Sequence, residues 1–280
     1  MTTLPTRVDA AIRDAAARLS AVAENPRLEA RLLLAHDLGV TMADLIRDPA
    51  APIDTTGFTT LVERRLAHVP VAYLTGRREF WSLDLAVSPA TLIPRPDSET
   101  LVDTALRRSP GLQRVLDLGT GSGCLLLAIL HDRPDATGIG VDISPDALAV
   151  ARRNADRCGI GARASFLLGD WAGAVAGRFD LIVANPPYIP RSEVASLMPD
   201  VSAYEPSLAL DGGPDGLDAY RRIIPALPAL LTPSGLAVLE VGTGQARMVG
   251  VLGRLAGFHV DTSADLAGIE RCVILSAMPV

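Results

Sequence analysis

No stretch of this chain approaches the roughly 20 consecutive apolar residues that a membrane-spanning helix needs, and Met1 to Ser20 lacks the apolar region of a signal peptide. The expected compartment is the cytoplasm. Cysteine is scarce: Cys124, Cys158 and Cys272 are odd in number, share no metal-ligand spacing, and read as free thiols, mostly buried. His36, His68, His131 and His259 are equally scattered, so neither a metal site nor a Cys-His nucleophile is supported. An excess of positive charge is missing as well. The 26 Lys and Arg stand against 32 Asp and Glu, a net charge of −6, without the basic footprint usual in nucleic-acid enzymes. No internal repeat or low-complexity segment interrupts the 280 residues, 49% of them hydrophobic. Such a chain buries a sizeable core and divides into about two domains.

What is present is led by Asn185-Pro186-Pro187-Tyr188, directly after the apolar run Phe179 to Ala184. An amide or aromatic amine shares its nitrogen lone pair with a π-system and must be helped to localise it before attacking an electrophile. The Asn185 side-chain carbonyl and the Pro186 backbone carbonyl each accept one N–H, turning the developing lone pair toward a methyl donor. Proline fixes φ and donates no N–H, and Tyr188 offers a flat face to the planar group. Taken alone, the tetrapeptide also reads as a Pro-Pro turn closing a buried strand.

Upstream, Val115 to Leu118 reads as a strand leading into Gly119, Thr120, Gly121, Ser122 and Gly123, with a helix from Cys124 through Leu130. The glycines permit positive φ and close approach of a ligand to backbone, and the helix start offers free N–H groups. By itself this turn serves a dinucleotide equally well, or only packs a helix on a strand. The next strand, Gly138 to Asp142, ends in a carboxylate roughly twenty residues past the glycines, where doubly wound folds hold a ribose. The other reading of Asp142 is a solvated carboxylate before a helix capped by Ser144 and Pro145. A third strand, Ala164 to Leu168, leads to Asp170 and Trp171, a pair suited to an adenine amino group and ring; Trp171 also reads as plain core. S-adenosylmethionine accounts for all four features, whereas NAD leaves the tetrapeptide unexplained.

In these motifs the chain resembles the PrmC/HemK protein-(glutamine) methyltransferases that modify peptide chain release factors. Further matching segments are Arg78 to Trp81, Leu92 to Glu99, Tyr204-Glu205-Pro206, Asp211 to Gly213, Asp215 to Leu217, and Leu239 to Gly242 with Gln245. Ser98 stands where Thr is more usual, and Cys124 where a small residue such as Ala is common. The resemblance implies methyl transfer from S-adenosylmethionine to the glutamine amide nitrogen of the Gly-Gly-Gln loop in class I release factors. It matches Gly119 to Gly123, Asp142 and Trp171 to the family's cofactor contacts, and Asp170 and Asn185 are expected to join them at the cofactor. Asn185, Pro186, Pro187 and Tyr188 are assigned to the glutamine. Release factors are the expected partners, without a membrane or direct nucleic acid.

The expected fold class is α/β: a Rossmann-like, seven-stranded methyltransferase domain with a small N-terminal helical domain and a linking β-hairpin, the strand count coming from the resemblance. Residues 1–72 are expected to be wholly helical and to dock substrate. In them Leu28, Leu32 and Ala35 share a face, Gly39 stops a helix, a second helix covers about Phe58 to His68, and Glu63, Arg64 and Arg65 form a solvated face. Residues 73–95 form the hairpin, with Trp81, Leu83, Leu85 and Val87 on one side, and 96–280 form the catalytic domain. Pro190 to Gly216 is expected to be a loop over the substrate pocket, and the roles of Glu205 and Asp211 are left open. The rival reading is a DNA or RNA exocyclic-amino methyltransferase, against which the acidic charge and small helical head speak. A regulatory module that binds cofactor without turnover is the third, opposed by the intact tetrapeptide.

Overall fold

A computed structural model describes residues 6–278; residues 1–5 and 279–280, the two ends of the expected first and last domains, lie outside it. The chain divides into two compact units, one running to Arg77 and taking in Met198–Tyr204, the other made of Arg78–Leu197 and the chain from Glu205 onward.

The first unit holds helices α1 (Val8–Leu19), α2 (Pro26–Leu38), α3 (Met42–Arg47), α4 (Thr56–Leu66) and α5 (Val71–Thr75). It is not wholly helical, because β1 (Thr6–Arg7) pairs antiparallel with β2 (Pro52–Ile53). Asn25 caps α2 by accepting the Leu28 N–H, and Gly39, at φ 65°, ends the helix. The buried face of α2 is Ala30, Leu33, Leu34 and Ala35, so Ala35 falls as expected, while Leu28 and Leu32 are exposed. The stripe expected from the sequence is therefore rotated by part of a turn. Arg65 departs furthest from expectation: it is buried, its Nε 2.7 Å from Glu29, its Nη2 donating to the Val22 carbonyl at 3.0 Å and 3.2 Å from Asp200. A partner 135 residues away is invisible to helical periodicity. Tyr204 adds a second tie by donating its hydroxyl to the Ala67 carbonyl at 2.6 Å. Arg65→Ala is expected to leave Glu29 and Asp200 short of a counter-charge and to cost about 2–3 kcal/mol, below the range for fully buried pairs because both carboxylates keep some water. Urea unfolding of the full chain measures it.

In the second unit, β3 (Arg77–Phe80) and β4 (Leu83–Ala86) make the hairpin. It starts later than residue 73 because Val71–Thr75 is helical. Leu83, Leu85 and Val87 are buried as expected, and Trp81 packs, partly buried, against the same core as Leu83 and Leu85. Trp81 and Ser82 form the turn, at φ 51° and 59°, and the indole donates to Asp132 at 3.1 Å.

The main sheet contains β5 (Arg114–Leu118), β6 (Thr137–Asp142), β7 (Ala164–Leu168), β8 (Phe179–Ala184), β9 (Leu231–Glu240), β10 (Phe258–Ala264) and β11 (Glu270–Ala277), in the order β10-β11-β9-β8-β5-β6-β7. Five strands from β7 to β9 run parallel, and β11 is antiparallel to both β9 and β10. Alternate residues feed opposite cores, as period 2 demands. Leu181, Val183 and Val238 face one layer with α6 (Glu99–Arg108), α7 (Cys124–Asp132) and α8 (Pro145–Arg157). Ile182, Ala184 and Leu239 face the other. Between β8 and β9 the chain forms short helices α9 (Arg191–Val194), α10 (Pro199–Ser202), α11 (Asp218–Ile223) and α12 (Leu227–Leu230), and α13 (Ala246–Leu255) follows β9. Pro190 to Gly216 is thus a string of helical turns rather than an open loop. Strand order reverses between β5 and β8, the switch point at which such sheets take ligands.

Candidate active site

The carboxyl ends of β5, β6, β7, β8 and β9 carry, in turn, the Gly-rich turn, Asp142, the Asp170-Trp171 pair, Asn185 and Glu240. The turn after β5 is held from several sides. Gly119, Gly121 and Gly123 have φ of 77°, 55° and 83°, values that cost a side chain steric strain. The Gly119 and Thr120 amides donate to the Val141 carbonyl at 2.8 and 2.9 Å. Thr120 and Ser122 are buried and serve the turn: Thr120 Oγ1 donates to Asp117 at 2.6 Å, and the Ser122 carbonyl accepts from the Asn154 side chain at 2.9 Å. Asn154 also exchanges two bonds with Ala86, fastening the end of β4 to the same turn.

Asp142 is engaged before any ligand arrives. One oxygen accepts the Gly121 N–H at 2.8 Å and the other the Ser144 N–H at 2.9 Å, so its position is fixed relative to the turn. Each carboxylate oxygen keeps a lone pair for a hydroxyl. Asp117, which the sequence reading passed over, is fully buried, and burial pushes its carboxyl up to about 7, with the Thr120 hydroxyl pulling the other way. Its Oδ1 is buried without a hydrogen-bond partner. The signal was available: an acidic residue inside the apolar run Val115 to Leu118.

Asp170 is exposed and pairs with Arg222. Trp171, at φ 50°, lays its ring against the turn, so that a Cβ at Gly119 would stand 3.1 Å from Cζ3. Pro186 is buried, and Tyr188 is partly buried. Desolvation and the nearby Glu240 push the Tyr188 phenol up to about 12, which keeps it neutral. The Tyr188 carbonyl accepts from Gln245 Nε2 at 2.8 Å, and a Cβ at Gly216 would lie 2.3 Å from that carbonyl oxygen. Gly216, at φ 77°, lets the loop close on the tetrapeptide.

The Asn185 amide donates to Ser98 Oγ at 3.2 Å and stands near Glu240, whose charged form it favours. Glu240, closing the apolar run Leu236 to Leu239, is buried. The two residues left open also resolve. Glu205 is buried and accepts the Ile93 N–H at 3.0 Å while pairing with Arg95, and Asp211 pairs with Arg191 and accepts the Gly213 N–H at 2.8 Å. Both hold loops. Burial pushes the Cys124 and Cys272 thiols up to about 12, which makes them poor nucleophiles at neutral pH.

The residues present fit S-adenosylmethionine. Asp117 Oδ1 is an unpartnered buried acceptor suited to an ammonium, the side of Gly121 is open, and Asp142, fixed at the end of the neighbouring strand, keeps acceptor capacity for ribose hydroxyls.

Comparisons with known proteins agree with this geometry. A model described as PrmC N-terminal domain matches residues 10–76, and one described as Methyltransferase domain matches residues 111–210. Among solved structures, the hMettl16 catalytic domain superposes with TM-score 0.60 at 14% identity, covering 75% of this chain and 81% of that one. A methyltransferase from Pyrococcus furiosus gives TM-score 0.54 at 17% identity, covering 80% of this chain and all of that one (100%). At such identities the likeness speaks for the fold, that of the S-adenosylmethionine-dependent methyltransferases. A release factor glutamine methyltransferase of Rhodospirillum rubrum is 50% identical over 90% of this chain and 79% of its own length. Another, of Bradyrhizobium diazoefficiens, is 44% identical over 97% and 95%. With relatives of that identity and extent, the chain belongs to the release factor glutamine methyltransferase family.

Proposed function

We propose that Asn185, Pro186, Pro187 and Tyr188 hold the glutamine side chain of a Gly-Gly-Gln loop in a class I release factor. S-adenosylmethionine is then held by Gly119 to Gly123, Asp142, Asp170 and Trp171, and supplies a sulfonium-activated methyl. The reaction is methylation of the glutamine amide nitrogen. The observation that carries the assignment is the Asn185 amide at the end of β8, its NH2 bonded to Ser98 with Glu240 nearby, one strand from the Gly-rich turn of β5.

The protein's work is alignment. The Asn185 Oδ1 and the Pro186 carbonyl accept the two N–H bonds of the incoming amide, and Tyr188 packs against its plane. Thr120 and Ser122, turned inward, present backbone rather than hydroxyl to the cofactor. Asp170, exposed beside Trp171, keeps a solvent-facing carboxylate for the adenine edge. The product nitrogen sheds its proton readily, so no strong general base is needed. The helical unit up to about residue 72 docks the folded substrate protein, and the reaction takes place in the cytoplasm without direct nucleic-acid contact. Among the described residues no helix is long and apolar enough to cross a membrane.

Incubation with labelled methyl donor and, separately, release factor, tRNA and DNA, followed by mass mapping, tests the proposal. Label is expected on one glutamine of the release factor. Label confined to nucleic acid would overturn the reading.

A further inference from the structure

We infer that Glu240 and Ser98 are positioning residues that fix which way the Asn185 amide points, and that methyl transfer depends on this. The inference rests on the glutamine-presenting role proposed for Asn185. An asparagine side chain has two nearly isosteric orientations, one showing oxygen to the substrate and one showing NH2. Only the first accepts an N–H from the glutamine amide. The choice is made by what stands behind it.

Behind Asn185 stand a hydroxyl and a carboxylate. Ser98 Oγ accepts an Asn185 Nδ2 hydrogen at 3.2 Å, and the Glu240 carboxyl stands near enough to the Ser98 hydroxyl and the Asn185 amide for both to favour its charged form. An ionised carboxylate accepts and never donates, so it attracts the NH2 and repels the oxygen. With its NH2 bonded to Ser98 and drawn toward the carboxylate, Asn185 keeps Oδ1 turned away from the pair. The three residues come from three places in the chain, the segment before α6 and the ends of β8 and β9, and the β8–β9 pairing carries two of them side by side.

Fold stability gives no reason to keep this carboxylate. Glu240 is buried, its Oε2 has no hydrogen-bond partner, and burial pushes its carboxyl up to about 7, although Ser98, Arg271 and Asn185 pull it down. A buried polar atom left unmatched costs stability. The charges facing it are Arg271 of β11 and Asp97 before α6. Tyr188, Tyr220 of α11, Cys272 of β11 and Cys124 of α7 also sense it, and all are neutral at pH 7 with their ionisations pushed upward. Near neutrality Glu240 is thus the group in this set whose charge changes.

Glu240→Gln keeps the shape but offers both a carbonyl and an NH2, so it no longer dictates the Asn185 orientation. With intact release factor and saturating S-adenosylmethionine, the variant is expected to lose at least tenfold in kcat. KM for the factor and cofactor affinity should stay within about twofold. The wild-type kcat should fall as pH drops through about 7, and the variant should lack that fall. Ser98→Ala, which keeps the carboxylate, should lose kcat alone and by less, and the double variant should be no worse than Glu240→Gln. Ser98→Ala also decides the matter if the Gln variant does not fold. A kcat within twofold of wild type, an unchanged acid limb, or additive losses in the double variant would overturn the inference. Absence of release-factor methylation by the wild-type protein would sink the functional reading instead.

Discussion

Asn185→Ala is expected to slow methyl transfer roughly a hundredfold or more while leaving S-adenosylmethionine affinity nearly unchanged. The magnitude is that of removing one preorganised polar contact from a site that works by alignment. Asn185 is held by the end of β8 and by Ser98, with Glu240 nearby. Its order therefore exists before the substrate arrives, and no reorganisation is charged to the reacting complex. Single-turnover transfer to intact release factor measures the effect, and near-normal transfer by a folded variant would rule out the proposed contact. Glu240 should remain buried in the variant without its amide partner, so its stability is to be checked separately from its rate.

Asp142→Ala should act on binding and not on chemistry. It removes charge-assisted hydrogen bonds worth roughly 1.5–3 kcal/mol, weakening S-adenosylmethionine by about ten- to a hundredfold in calorimetry. Because Asp142 also accepts the Gly121 and Ser144 amides, part of the loss will come from a looser turn. Asp142→Asn, which can still accept one of those bonds, is expected to fall between wild type and Ala. Unchanged affinity in a folded variant would place the ribose elsewhere.

The glycines and strand ends were legible because their causes are local. Positive φ at Gly119, Gly121 and Gly123 and the apolar runs of β5, β6 and β8 are written in neighbouring residues. What escaped was set by distant partners. In the sequence Ser98 and Glu240 are only members of matching segments; β9 brings Glu240 beside the end of β8, and the segment before α6 brings Ser98 to Asn185. Arg65 reads as solvated face until Asp200 returns to it. Asp117 and Glu240 did leave a trace, each an acidic residue embedded in or closing an apolar run, and that pattern is the one to search for in similar chains. The shift of the hairpin to Arg77 has a smaller cause: Val71–Thr75 is too short to show helical periodicity.

The helical unit is discontinuous, and this bears on how the molecule is made. A chain leaving the ribosome presents its first 77 residues well before Met198–Tyr204 exists. Arg65 waits 135 residues for Asp200, about seven to thirty seconds at roughly 5–20 residues per second. Through that interval its guanidinium has Glu29 and the Val22 carbonyl as its partners within the nascent unit. The amino-terminal unit is therefore begun first but finished late, after β5 to β8 have been synthesised. A nascent chain stalled before Met198 should expose the helical unit to protease, and one stalled well past Tyr204 should protect it.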